Sequence, residues 1–204
     1  MTVEREHHED QPMADEQEKL SQKLDAVGIA LTTSAFAQDA DEMIASAVSA
    51  GPSSVSDNAT VTDLAGNVLR EGSNGWTCIP DDPNAEGTNP WCFDAPWGEL
   101  RAALGEGREP NITSIGIAYM LAGDAPVSNI DPAATEPTAD NQWLNPIGSH
   151  IMLVAPGDDP WASFSADPSN GGPWIMWPGT PYEHLMVPID AMGEEHLHHM
   201  PMGE

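Results

Sequence analysis

The apolar segments of this chain are short, and each is bounded by Gly, Pro or Asp residues. The clearest segments are 114–121, 150–155, 174–177 and 184–189. In the first, large and small residues alternate, which is typical of a strand with one packed face. The 18 glycines and 19 prolines argue against a helical bundle. The sequence therefore predicts a β-rich α+β fold: an antiparallel sheet (roll or sandwich) with long loops and two or three short helices.

The charge of the chain is strongly negative. It carries 33 acidic and 6 basic side chains, a formal net charge of −27 at pH 7. No lysine follows Lys23. Because nucleic acids and anionic membranes attract Lys and Arg, this charge argues against both as partners. No apolar run reaches the roughly 18 residues of a membrane-spanning helix. Export to the periplasm or the exterior would suit such a surface, and the alternative is the cytoplasm of a halophile.

Local signals divide the chain into an acidic leader at 1–38, one globular domain at 39–190 and a His/Met-rich tail at 191–204. Within the domain, Asp39 and Asp94 are placed to cap short helices. Further expected features are a helix stop at Gly51-Pro52, a hairpin turn at 65–67, long loops at 80–93 and 122–147, and a helix end at Gly105.

The leader contains a segment that resembles a signal peptide. Small and apolar residues at 26–37 follow Lys19 and Lys23, and Ala35 and Ala37 match the pattern of a secretory cleavage site. The start of the chain is acidic, whereas a signal peptide favours a basic start. An ordinary amphipathic helix is therefore the alternative interpretation.

Cys78 and Cys92 are the only cysteines. An even count in a chain with a possible export signal predicts one disulfide bond. The loop between them is rich in Pro and Gly and has little means of holding itself by packing. Their spacing is not that of a zinc knuckle, and two buried free thiols are the alternative.

Two histidines stand at the start of predicted strands. If the strands beginning at His150 and His184 were neighbours, both imidazoles could meet at one end of the sheet. Tyr182 and Glu183 stand beside His184. Two imidazoles, a carboxylate and a phenol suit general acid–base catalysis or a metal. The alternative is that each His bonds a nearby loop. None of the common catalytic motifs accompanies these residues.

The tail is dense in soft and borderline metal ligands. Imidazole and thioether groups together suit copper, and thioethers have no proton to lose at mildly acid pH. A mobile segment of this kind favours loading or scavenging of copper over catalysis. The alternative is a tail without a metal. The candidate ligands are Met192, His196, His198, His199, Met200 and Met202.

The chain also holds seven tryptophans, several of them beside prolines. They can anchor loops into the core, or they can line a cleft in which a flat ring stacks on a ligand.

Five segments stand out together: NGWTC at 74–78, GIAYML at 116–121, SNIDP at 128–132, GGPW at 171–174 and GTPYEHLM at 179–186. They resemble a family of uncharacterised bacterial proteins regarded as exported, over roughly residues 40–190. The resemblance implies an exported globular domain and supports the disulfide. It implies no catalytic residues, because the family has no established activity.

These observations favour an exported binding or accessory protein for a metal cation or a small molecule, with copper bound by the tail as one possibility. The first alternative is a hydrolase or lyase that uses His150, His184 and Glu183. The second is a structural surface protein.

Overall fold

The computed structural model describes residues 39–145 and 147–189. The signal-like segment of the leader and all six candidate copper ligands of the tail lie outside the described residues. Among the helices in the two described ranges, none is long and apolar enough to span a bilayer.

Short elements make up the described chain. The helices are α1 (residues 39–49), α2 (Ser53–Ser56) and α3 (Ala95–Glu106), and Pro168–Asn170 forms a 3₁₀ turn. The strands are β1 (Thr60–Thr62), β2 (Val68–Arg70), β3 (Thr77–Ile79), β4 (Trp91–Phe93), β5 (Gly116–Met120), β6 (Val127–Ser128), β7 (Trp143–Leu144), β8 (His150–Val154), β9 (Trp174–Met176) and β10 (His184–Pro188).

Eight strands form one sheet in the order β2-β1-β3-β4-β5-β8-β10-β9. Every neighbouring pair is antiparallel except β1 and β3, which are parallel. Strands β6 and β7 pair separately. The predicted α+β, β-rich fold with a mainly antiparallel sheet and short helices is therefore confirmed. The hairpin β1–β2 turns where expected, with Gly66 at φ 88°, a left-handed conformation that glycine adopts without strain.

The main sheet buries apolar side chains on both faces, because successive residues of a strand point in opposite directions. On one face, here called the α3 face, Met120, Met152 and Met186 pack with Trp97 and the rest of a large core. The other face, here called the α1 face, has a smaller core of alanines, Val61 and the two cysteines, with contributions from α1. The candidate site lies on the α3 face.

Helix α3 is held by the cap that the sequence predicts. Asp94 accepts hydrogen bonds from the backbone N–H of Trp97 at 3.1 Å and from that of Ile117 in β5 at 3.0 Å. One carboxylate therefore both starts the helix and fastens it to the sheet. The helix continues through Gly105, where the sequence predicted its end, and stops at Gly107, which has φ 66°. Gly107 is the residue that takes the left-handed cap.

The predicted disulfide is present. Cys78 on β3 lies directly opposite Cys92 on β4, with their Cα atoms 4.1 Å apart, and both are fully buried. The long loop predicted at 80–93 is shorter than expected, because its last three residues form β4. Three residues next to a Pro/Gly-rich loop are too few to show the alternation that marks a strand.

The region 122–147, expected to be a loop, contains β6 and β7. Asn129, just after β6, is fully buried and joins this region to β9. Its side-chain oxygen accepts from the indole of Trp174 at 3.0 Å, and its backbone oxygen accepts from the N–H of Trp177 at 2.7 Å. These bonds fix the position of the wall of the site described next.

Candidate ligand-binding site

A pocket of about 230 Å³ lies between α3 and the α3 face of the sheet. Most of its lining is aromatic, aliphatic or thioether, and a few polar side chains reach it. This combination is typical of sites for small organic molecules. The aromatic and sulfur-bearing residues of the lining are Trp91, Trp97, Trp177, Met152 and Met176, and the polar ones are Asn89, Arg101, Asp124 and His184.

The aromatic residues form a continuous wall. The imidazole of His184 makes edge-to-face contacts with Trp97, at 5.1 Å between ring centroids, and with Trp177, at 5.0 Å. Trp91 extends the wall, 6.4 Å from Trp97. Each ring of the wall therefore packs against at least one other and limits its freedom to rotate.

Trp177 is held in an unusual backbone conformation. Its φ is 54°, which is rare for a bulky residue, and it stands directly before Pro178, where extended backbone is preferred. Besides the backbone bond to Asn129, its indole N–H donates to the carbonyl of Ser128 at 2.8 Å. Such strain persists only where surrounding bonds impose it, and it concentrates at functional sites. Here it keeps the indole in the pocket wall.

His184 lines the pocket as a neutral hydrogen-bond acceptor. Its Nδ1 lies 2.9 Å from the carbonyl of Tyr182, and since a carbonyl only accepts, Nδ1 carries the proton. Nε2 is then left with a lone pair. Burial, with a smaller electrostatic contribution from His150, lowers the pKa of His184 to about 4. The imidazole is therefore uncharged at neutral pH.

Asp124 is the carboxylate of the pocket. Its side chain is 14% exposed, and one oxygen accepts the N–H of Ala125 at 2.7 Å. The other oxygen, Oδ2, lies 3.8 Å from Nε2 of His150, too far for a hydrogen bond. Burial raises the pKa of Asp124 to about 7. This carboxyl group therefore changes charge near neutral pH.

His150 is buried behind Asp124. Its Nδ1 donates to the carbonyl of Gly148 at 2.7 Å, so its Nε2 is also an acceptor. That atom is buried and has no hydrogen-bond partner among the described residues. Burial lowers the pKa of His150 to about 4. Two neutral imidazoles and one carboxyl group thus share this face.

The two predicted histidines lie on neighbouring strands and the same face, but not at the same end. Strands β8 and β10 are antiparallel: His150 pairs with Pro188, whereas His184 lies just beyond the pair formed by Leu153 and Leu185. Four residue steps separate their positions, roughly 13 Å along the strands. Because antiparallel neighbours start at opposite ends, two strand-start residues do not meet.

Glu183 and Tyr182 do not join the histidines in one site. Glu183 accepts from the N–H of Gly179 at 2.7 Å and lines a second, more polar cavity of about 600 Å³. The phenol of Tyr182 donates to the carbonyl of Arg108 at 3.1 Å. The carboxylate that shares the pocket with His184 is Asp124, and the predicted hydrolase or lyase constellation is not assembled.

Sequence reasoning missed Asp124. It lies in the region 122–147, and nothing in its neighbours distinguishes it from the other acidic residues of a very acidic chain. The tryptophans indicated the site more clearly than the acidic residues did, because the lining of a ligand cleft was one of the two roles predicted for them. Three of them line the pocket, whereas Trp174 is fully buried and bonds Asn129.

Residues 39–145 and 147–189 contain no group of three or more His, Cys, Asp or Glu side chains arranged to hold a metal ion. The candidate copper ligands of the tail lie outside these ranges. No protein-family model matches the chain, and neither the curated proteins nor the solved structures contain a significant match. Function is therefore inferred from the residues of the pocket.

Proposed function

We propose that this protein binds a small organic molecule with a ring or a similarly compact apolar body in the pocket beneath α3. The observation that carries the proposal is the continuous wall of Trp91, Trp97, Trp177 and His184 around a mainly apolar space. Apolar cavities of about 150 Å³ already accommodate benzene, and this pocket measures about 230 Å³. The strained backbone of Trp177 also supports the proposal, because strain of this kind is concentrated at functional sites and Trp177 lies in the pocket wall.

The compartment that we propose is the periplasm or the exterior of the cell. A buried disulfide supports it, since such bonds persist in oxidising surroundings and are rare in the cytosol. In that setting, a mainly apolar pocket with a few polar side chains suits capture or delivery of a small molecule. We therefore place the protein among binding or accessory proteins.

Copper binding by the tail is a separate proposal that rests on its sequence alone. The His and Met side chains between 192 and 202 supply ligands of the type that copper prefers. Titration with Cu(I) and Cu(II) of the full chain and of a chain lacking 192–204 tests it. Binding lost with the tail supports the proposal, and equal affinity of both chains contradicts it.

The pocket proposal is tested with a blocked pocket. Leu104 lines the pocket from α3, so Leu104→Trp fills it, whereas Leu64→Trp makes the same chemical change at an exposed position outside it. Ligand-observed NMR with phenol, indole, benzylamine and benzoate measures binding. We expect at least one compound to bind wild type and Leu64→Trp, and to lose at least tenfold in affinity on Leu104→Trp. Circular dichroism checks that the variants are folded.

Two results contradict the proposal. One is that none of the four compounds binds the wild-type chain at millimolar concentration. The other is that folded Leu104→Trp binds as tightly as wild type, which would place the ligand elsewhere.

A further inference from the structure

Resting on the proposed function, we infer that the occupant of the pocket is an organic cation: an ammonium group on a compact apolar or aromatic body. The ammonium group would lie between the indoles and Asp124. The inference follows from the chemistry that the lining residues present toward the pocket.

The first step is that two inner groups of the pocket, the imidazole of His184 and the ionised carboxylate of Asp124, are acceptors, whereas Trp97 adds one buried indole N–H that has no hydrogen-bond partner among the described residues. His184 has its proton on Nδ1, bound to the carbonyl of Tyr182, so Nε2 only accepts. Asp124 has one oxygen bonded to the N–H of Ala125, and its Oδ2 lies 3.8 Å from Nε2 of His150, beyond hydrogen-bond distance. An ammonium group brings donors and no acceptor, which is the complement of these atoms.

The second step concerns the aromatic wall. The face of an indole carries negative charge in its quadrupole, and a cation over it is attracted, most strongly in a site from which water is excluded. Trp91, Trp97 and Trp177 all line the pocket. Several such rings around one space are a favourable environment for an ammonium group and an unfavourable one for an anion.

The third step concerns the field of the whole chain. A net charge of −27 concentrates cations near the surface and repels anions. Among the described residues, Arg101 is the one cationic side chain in the lining of the pocket. It is exposed on α3, with its guanidinium carbon 5.9 Å from the centroid of the Phe93 ring. Burial of part of this side chain lowers its pKa, so water screens its charge only partly and the charge opposes a cation in the pocket.

The inference also predicts how affinity changes with pH. A bound ammonium group favours the ionised form of Asp124, so affinity falls as protons occupy that carboxyl group. Burial raises the pKa of Asp124 to about 7 in the empty pocket. The charged or titratable groups that face it are His150, at 3.8 Å, and His184 and Arg101 in the same lining. Both imidazoles are neutral above pH 6, because burial lowers each pKa to about 4.

The test compares three ligands of one shape: benzylamine, benzyl alcohol and benzoate. At pH 8 we expect benzylamine to bind wild type at least tenfold more tightly than the other two. Asp124→Asn should remove most of that advantage and leave benzyl alcohol unchanged. Asp158→Asn, in an exposed loop away from this pocket, is the matched control and should change nothing. Arg101→Gln should raise the affinity for benzylamine.

A second measurement needs no variant. Between pH 8 and pH 6, where benzylamine stays protonated, its affinity for wild type should fall about tenfold while that of benzyl alcohol stays constant. If benzyl alcohol or benzoate binds as tightly as benzylamine, or if benzylamine affinity is independent of pH, the cation inference is wrong and the pocket proposal stands. If none of the three binds, the pocket proposal fails as well.

Discussion

His150 and His184 show how burial sets the charge of single residues. Each imidazole donates from Nδ1 to a nearby backbone carbonyl, and each is almost fully buried. Desolvation disfavours the charged form, so the pKa of each falls from 6.5 to about 4. The same effect on Asp124 has the opposite sign, since its charged form is the deprotonated one, and its pKa rises from 3.8 to about 7.

These shifts predict how the free energy of unfolding changes with pH. Between pH 6.5 and 4 the two imidazoles bind protons in the unfolded chain but not in the folded one, so acid destabilises the fold. In the same pH range Asp124 is protonated in the folded chain but not in the unfolded one. Its effect on stability has the opposite sign and cancels the effect of one imidazole. Together these groups make stability fall by about 1.4 kcal/mol per pH unit on acidification.

Urea denaturation of wild type and two variants at pH 4.5, 5.5 and 6.5 measures this dependence. Asp124→Asn removes the opposing group, so its stability should fall more steeply on acidification than that of wild type. His184→Phe removes one imidazole, so its stability should fall less steeply. Slopes that are equal in all three chains would contradict the assignment.

The elements differ in how far the sequence could predict them. Asp94 and Gly66 act on their own neighbours, so the cap of α3 and the β1–β2 turn were predicted correctly. Strand β4 exists because Cys92 pairs with Cys78 and Tyr119, partners that lie far along the chain. The pocket depends on such pairings too. His184 was recognised from its strand, but Asp124 reaches the pocket only through non-local pairings, including its bridge to Ile147.

The contact between α3 and β5 depends on a glycine. A Cβ built on Gly116 would lie 2.7 Å from Cβ of Pro96 and 2.8 Å from the backbone nitrogen of Trp97. We therefore expect Gly116→Ala to destabilise the fold by roughly 1–3 kcal/mol. Gly105 lies within α3, and a Cβ there meets nothing within 4 Å. Gly105→Ala should stabilise by roughly 0.5–1 kcal/mol, because alanine loses less entropy in a helix.

Urea denaturation of the two alanine variants beside wild type tests this pair. Opposite shifts of the midpoint are expected, with an unchanged dependence on urea. If both variants shift in the same direction, the close approach of β5 to α3 is not what requires glycine at 116.

At the scale of the molecule, the two faces of the main sheet have different roles. The α3 face holds the candidate pocket, whereas the α1 face holds the disulfide and a small core of alanines and Val61. That smaller core buries few large side chains, so hydrophobic burial alone stabilises it weakly. A covalent link between β3 and β4 suits this side, because it holds the strands together without needing more apolar area.

The contribution of this link is the last prediction. The cysteines are 14 residues apart, and closing a loop of that length stabilises a fold by about 3 kcal/mol, chiefly by restricting the unfolded chain. Double substitution Cys78→Ala, Cys92→Ala should therefore lower the free energy of unfolding by about 3 kcal/mol in urea. The free energy of unfolding of wild type should fall by a similar amount when it is measured under strong reductant. This control separates the effect of the cross-link from that of the packing of the sulfur atoms.

Because the bond lies on the α1 face, a double variant that remains folded should still bind the ligand of the pocket. Unchanged stability in both experiments would mean that packing of the α1 face, rather than the cross-link, holds β3 to β4.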